Sequence, residues 1–175
     1  MRHSHTRKDK LISLKFGLTG DTHNNLKNIK VICDLFNSHN LDFVIHTGDI
    51  TLPKSLLIFQ GLRMPLKGVF GNNDTDEKEG LLEVCDKFNF NFHDELKISI
   101  GKNRFLFATH DPKDIKQHYY GQKNIIVHGH THRFRDEIIN ETHIFNPGEC
   151  AGIIKGSNKI GIVDTDKCKM KIIYF

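Results

Sequence analysis

Leu14-Lys15-Phe16-Gly17-Leu18-Thr19-Gly20-Asp21-Thr22-His23 decides the fold, because it joins a short apolar run to side chains that bind metal. The same arrangement returns at 43–50 (FVIHTGDI), 66–74 (LKGVFGNND), 104–110 (RFLFATH) and 124–132 (NIIVHGHTH). Each run has strand length and ends where Gly, Thr or Asn loosens the chain. The ligand residues at these ends are Asp21 and His23, Asp49, Asn72, His110, and His130 with His132. In an open sheet the strand ends along one edge are neighbours in space, however distant in sequence. The seven side chains are therefore expected to converge. Carboxylates, imidazoles and a carboxamide without thiolate suit Mn, Fe, Co, Ni or Zn better than an all-oxygen Ca site.

Outward from these runs, strands and helices alternate. A first strand at about Ile12–Thr19 leads into Leu26, Ile29, Cys33 and Phe36, which recur at helical spacing. A second, Phe43–Thr47, precedes Pro53 and a short helix carrying Leu56, Leu57 and Phe59. The third ends at Asn72, after which Asp76 and Glu79 read as a capping pair before Leu81, Leu82, Cys85 and Phe88. Three βα units in succession imply a parallel sheet. Beyond them, Leu96–Ile100 and Arg104–Ala108 read as a hairpin, and Asp111-Pro112 as the cap of a short helix toward Tyr120. Strands are expected at Ile125–His128, Glu137–Ile139, His143–Phe145, Ile160–Asp164 and Met170–Tyr174. A parallel half followed by an antiparallel half suggests two sheets packed face to face with helices outside.

The 175 residues, with 38% hydrophobic content and 13 Phe, can bury one core. Residues 1–10 read as a basic flexible leader and 11–175 as a single domain. Lys and Arg total 25 against 21 Asp and Glu, and the excess is concentrated in Arg2, Arg7, Lys8 and Lys10. The rest is nearly balanced, and no basic-aromatic track is evident, so a nucleic-acid partner is not expected. Cys33, Cys85, Cys150 and Cys168 form no CxxC pair, so neither a zinc ribbon nor a redox dithiol is suggested, and buried thiols in a reducing cytoplasm are the simpler account. The leader has no apolar segment, and no run has the length of a membrane span. The oligomeric state, homodimer included, is left open.

Taken together, Asp21-Thr22-His23, Gly48-Asp49, Gly71-Asn72-Asn73-Asp74, His110 and Gly129-His130-Thr131-His132 resemble, in this order, the calcineurin-like metallophosphoesterase superfamily. The likeness is greatest to its small single-domain bacterial and archaeal phosphodiesterases and runs from about Leu14 to the C-terminus. Phe145-Asn146-Pro147-Gly148 resembles the late NPG loop of that group. The resemblance implies an α/β (α+β) fold of two face-to-face mixed β-sheets flanked by helices, a four-layer sandwich. It also implies two divalent transition-metal ions, Mn first, with Ni, Fe, Co or Zn as alternatives. Asp21, His23, Asp49 and His132 would hold one ion; Asp49, Asn72, His110 and His130 would hold the other. A bridging hydroxide would attack a small phosphodiester in line.

The chain departs from the family pattern at three places. Asn73 stands where many members have a His that assists the leaving group; a carboxamide can contact phosphate but cannot donate a proton as a general acid. Asp111 and Glu149 stand where small residues are common, and either carboxylate would repel an anionic substrate or attract a further cation if it faced the site. Asp111 otherwise reads as the cap before Pro112, and Asp74 as a brace of its own loop. His46 and His128 read as half-buried strand residues in preference to groups that orient a ligand, and Cys150 as packing. The same fold resembles the small retromer subunit of eukaryotes, a protein-binding scaffold, which is the alternative function. That subunit lacks part of the histidine set, whereas every ligand position is filled here.

Overall fold

The computed structural model describes residues 13–101 and 103–175. The basic leader and Ile12 lie outside the described residues. The strand that opens the fold is β1 (Lys15–Thr19), and β2 (Phe43–His46) and β3 (Leu66–Val69) follow it as parallel neighbours. Between them run α1 (Leu26–Asn37) and α2 (Pro53–Ile58), the latter continued by a 3-10 turn at Phe59–Gly61. Asn25 caps α1 by accepting the Asn28 N–H at 3.0 Å. After β3 the expected Asp76–Glu79 capping pair does not form. A 3-10 turn over Asn72–Glu77 feeds directly into α3 (Lys78–Phe88), and Glu77 occupies the cap position without a side-chain bond.

The first sheet has the order β11-β10-β1-β2-β3-β4, where β4 is Asn91–His93, β10 is Lys159–Asp164 and β11 is Lys169–Tyr174. The second has the order β5-β6-β7-β9-β8, formed by β5 (Leu96–Gly101), β6 (Arg104–Ala108), β7 (Ile125–Val127), β8 (Arg135–Ile139) and β9 (Thr142–Asn146). The division into a parallel and an antiparallel half needs correction. The C-terminal hairpin returns to the first sheet and pairs antiparallel with β1, while β6, β7 and β9 run parallel in the second. Both sheets are mixed.

Strand periodicity assigns the faces. Phe16 and Leu18 of β1 and Phe43 and Ile45 of β2 meet Leu106, Ile125, Val127 and Phe145 from the second sheet. Val44, on the other face of β2, packs instead with Ile29, Ile32, Phe36, Leu56, Phe59 and Leu81 from the helices. The opposite outer face, carrying Phe107, Ile126 and Ile144, is covered by Tyr119 from a 3-10 turn at Gln117–Tyr119. The short helix expected after Asp111 resolves into two such turns, the first at Pro112–Asp114. Cys33, Cys85 and Cys150 are buried, and burial pushes the Cys33 thiol up to about 12 and that of Cys150 to about 11. They remain unreactive thiols. No helix among the described residues is long and apolar enough to cross a membrane.

Candidate metal centre

Five of the seven predicted ligands sit in left-handed backbone: Asp21, His23, Asp49, His130 and His132 have φ between +45° and +66°. L-residues pay for this conformation in strain, which persists where surrounding bonds over-determine it and gathers at functional sites. Here two loops latch together just past the ends of β1 and β2, with the Asp21 N–H donating to Gly48 O at 3.0 Å and the His23 N–H to Asp49 O at 2.8 Å. At the second sheet, the Gly129 N–H donates to His110 O at 3.0 Å. Backbone closeness is strict: a Cβ at Gly71 would clash with the Asp49 carboxylate, so glycine precedes Asn72.

All seven side chains converge. Asp21, His23, Asp49 and His132 each present a ligand atom within 4.8 Å of the others. Asn72 Oδ1 lies 3.0 Å from both His110 Nε2 and His130 Nδ1, and those two nitrogens are 3.3 Å apart. Asp49 touches both groups, with Oδ2 3.9 Å from His23 Nε2 and Oδ1 3.4 Å from His110 Nε2. The carboxylates form the buried floor, while His23, His130 and His132 stand partly exposed at the rim.

The donors fit a cation. Asp21 Oδ2 and His23 Nε2 are buried with no hydrogen-bond partner, although buried polar atoms are nearly always paired. Burial pushes the Asp21 carboxyl up to about 7, while Asp49, despite its own burial, is held well below the usual carboxylate range by hydrogen bonds from His110 and Asn73. Burial alone would depress His110, but the Asp49 carboxylate beside it raises its pKa. Oxygen and imidazole donors at this spacing provide for a borderline divalent metal.

The family model of the calcineurin-like phosphoesterase superfamily domain matches residues 14–168, a span that contains all seven of these candidate side chains. The chain belongs to this superfamily. Membership places it among the hydrolases of phosphoric esters. It is 32% identical over 164 residues to a phosphodiesterase of Methanocaldococcus jannaschii, covering 88% of this chain and 95% of that protein. The solved structure of an archaeal phosphodiesterase superposes with a TM-score of 0.79 at 29% identity, over 93% of this chain and all of the other. The fold is shared also with the YfcE phosphoesterase from E. coli, at a TM-score of 0.69 and 19% identity over 91% and 98% of the two chains.

Several groups around this phosphoesterase site do more than the sequence suggested. His46 and His128 are fully buried, not half-buried. His46 Nδ1 accepts the Gly48 N–H at 3.1 Å, which leaves Nε2–H to donate to Thr22 Oγ1 at 2.9 Å, between Asp21 and His23. Burial holds its pKa down to about 3, so this ring remains neutral and keeps that tautomer. His128 meets Gly129 O at 3.0 Å and Arg135 Nη1 at 3.1 Å, directly before the His130 loop. Asp74 braces more than its own loop, since its carboxylate accepts the N–H groups of Gly71, Asp49, Ile50 and Thr51 at 2.6 to 3.0 Å. Asp111 caps Lys113 N–H at 2.9 Å and also places Oδ2 3.6 Å from His130 Nε2. The Glu149 carboxylate accepts the Ile153 and Ile154 N–H groups; burial lowers the pKa of His132, and the Glu149 charge raises it against that effect.

Proposed function

We propose that this phosphoesterase hydrolyses small phosphodiesters with two divalent transition-metal ions, Mn first among them, and a water-derived hydroxide as nucleophile. The observation that carries the reading is the position of Asp49, whose two oxygens separate Asp21, His23 and His132 from Asn72, His110 and His130. Bound there, the cations supply positive charge that acidifies water and screens the phosphoryl oxygens. Asp21, Asp49 and the hydroxide would carry three negative charges against the four of the ions, and the single positive charge left over matches a monoanionic diester. The exposed edges of His23, His130 and His132 define the side from which substrate arrives.

Asn73 gives one amide hydrogen to Asp49 Oδ2 at 2.8 Å, fixing the carboxylate that the two ions would share. Its other hydrogen is assigned to a phosphoryl oxygen. Because no general acid stands at this position, leaving groups that depart as stable anions are preferred. The expected result is turnover of bis-p-nitrophenyl phosphate on addition of Mn, at least about 100-fold faster than an alkyl monoester, a difference of roughly 3 kcal/mol in the barrier. Chelator should reduce this to below about 1% and Mn should restore it. Undiminished turnover after exhaustive chelation would refute the metal-dependent reading.

Asp111 acts as a positioning residue. With His130 Nδ1 facing Asn72 and His110, the Nε2–H is left for the Asp111 carboxylate, an orientation that makes Nδ1 the free lone pair. Asp111→Asn keeps a carbonyl for the Lys113 cap but removes the charge. Competition titration should show one of two Mn equivalents bound about 10-fold more weakly in the variant, the other unchanged. Equal weakening of both, or of neither, would contradict the assignment.

The scaffold alternative would leave buried carboxylates and imidazoles clustered without a cation to offset their desolvation, which is costly. Free buried thiols fit a cytoplasmic setting.

A further inference from the structure

Beside the metal cluster lies an open cleft of about 550 Å³ lined by His23, Asn24, Asn25, Leu26, Ala151 and Ile153. One wall is the start of α1, and the other is the loop that follows Asn146-Pro147-Gly148. Ile153 and Ile154 on this loop are 68% and 62% exposed, and Leu26 across the cleft is 37% exposed. Isolated exposed apolar side chains are ordinary, but these are displayed by construction. The Glu149 carboxylate, only 2% exposed, accepts the N–H groups of Ile153 at 3.2 Å and Ile154 at 2.9 Å. Asn25 Nδ2 donates to Ala151 O and Asn28 Nδ2 to Cys150 O, each at 2.8 Å, tying the loop to α1. Gly152 between them has φ +78°, and a Cβ there would press on the Asn25 amide at 2.9 Å.

We propose that this cleft is a subsite for an apolar, ring-bearing ester group of the substrate, an inference that rests on the phosphodiesterase reading above. Its floor explains the occupant. His23 belongs to both the cleft and the metal cluster, so a phosphoryl group held at the cluster places its ester substituent against Leu26 and Ile153. At the cleft edge, Asn24 Oδ1 accepts from Thr51 Oγ1 at 2.7 Å and Ser55 Oγ at 3.2 Å. Its orientation is thereby fixed, with the NH2 group available to an acceptor atom on the ring. An aryl group and a nucleobase share this chemistry.

Binding to the Mn-loaded protein tests the subsite without turnover, using inorganic phosphate, methyl phosphate, phenyl phosphate and adenosine 5′-monophosphate. Phenyl phosphate should bind about 10-fold more tightly than methyl phosphate, as expected for removing one ring face from water. Ile153→Ser, at an exposed position, should reduce that ratio below about threefold and leave phosphate affinity unchanged. Tight binding of the nucleotide as well would extend the occupant to nucleobases; its failure alongside tight phenyl phosphate would confine it to aryl groups. If phosphate binds but phenyl and methyl phosphate do not differ, or the ratio survives in I153S, the subsite is overturned while the metal reading stands. If phosphate itself does not bind in the presence of Mn, the metal reading falls and takes the subsite with it.

Discussion

Asp49→Ala is expected to lower phosphodiester turnover by at least about 1000-fold, because one side chain contributes to both halves of the ligand cluster. Its Oδ1 faces His110 and its Oδ2 faces His23, while Asn73 donates to both oxygens, at 3.0 Å through its backbone and 2.8 Å through its amide. No neighbouring carboxylate can take over, since Asp21 is held on the far group by His132 and the His130 N–H, and Asp74 is engaged with backbone. Elemental analysis should find at most one Mn per chain in the variant against two in the parent. Alanine also confounds the result, because position 49 has φ +59° and an L-residue without a polar side chain is strained there by about 1 to 2 kcal/mol. Asp49→Asn removes that objection: asparagine tolerates left-handed backbone and can still accept a hydrogen bond. Both variants should lose activity alike, and Asn should melt closer to the parent. Retention of two metals and full turnover in either would end the shared-ligand proposal.

The convergence of the seven candidate positions is legible because each one follows a short apolar run, and a run that ends at a sheet edge commits its last polar residues to that edge. Asp21, His23, Asp49, Asn72, His110, His130 and His132 do meet there. Periodicity says whether a strand has an apolar face but not which strand it lies beside. For that reason the expectation of an antiparallel half misses the return of the C-terminal hairpin to the first sheet: β10 pairs with β1, nearly the whole chain away, through contacts such as Phe16 with Val163. The strand β4 carries no sequence pattern of its own, because only Phe92 of its three residues is buried. His46 and His128 read as half-buried because an imidazole in a strand can face either way, and only the partners Thr22 and Arg135 reveal that both rings are enclosed. Asp76 and Glu79 had the spacing of a cap, but the loop from Asn72 arrives already coiled, which leaves no extended residue at which a cap could form. Asp74 and Glu149 differ from the ligands in a way invisible to sequence, since each spends its carboxylate on backbone N–H groups.

Asp74 therefore carries the largest expected loss of stability. Its two oxygens receive four backbone N–H groups, Gly71 and Asp49 on Oδ2 and Ile50 and Thr51 on Oδ1, and the residue is fully buried. These donors belong to two separate loops, so the carboxylate joins the end of β2 to the end of β3 and sets the distance between Asp49 and Asn72. Asp74→Ala would leave the donors facing a small cavity. Hydrogen bonds to a charged acceptor contribute about 1.5 to 3 kcal/mol each, but water entry and loop relaxation recover part of the sum, which makes roughly 3 to 5 kcal/mol the reasonable expectation. That is a large share of the roughly 5 to 15 kcal/mol that holds a domain folded. Urea unfolding followed by circular dichroism, with and without Mn, would measure it. Asp74→Asn separates positioning from folding: it preserves volume but turns one NH2 group toward two donors, so a folded protein with loosened loops is expected. Shifts of about 1 Å in a reacting constellation can cost about 100-fold in rate. In D74N, kcat should fall by about that factor, Mn should bind more weakly, and saturating Mn should recover part of the lost midpoint. An unchanged unfolding midpoint in both variants would mean that the two ligand loops hold their spacing without the buried carboxylate between them.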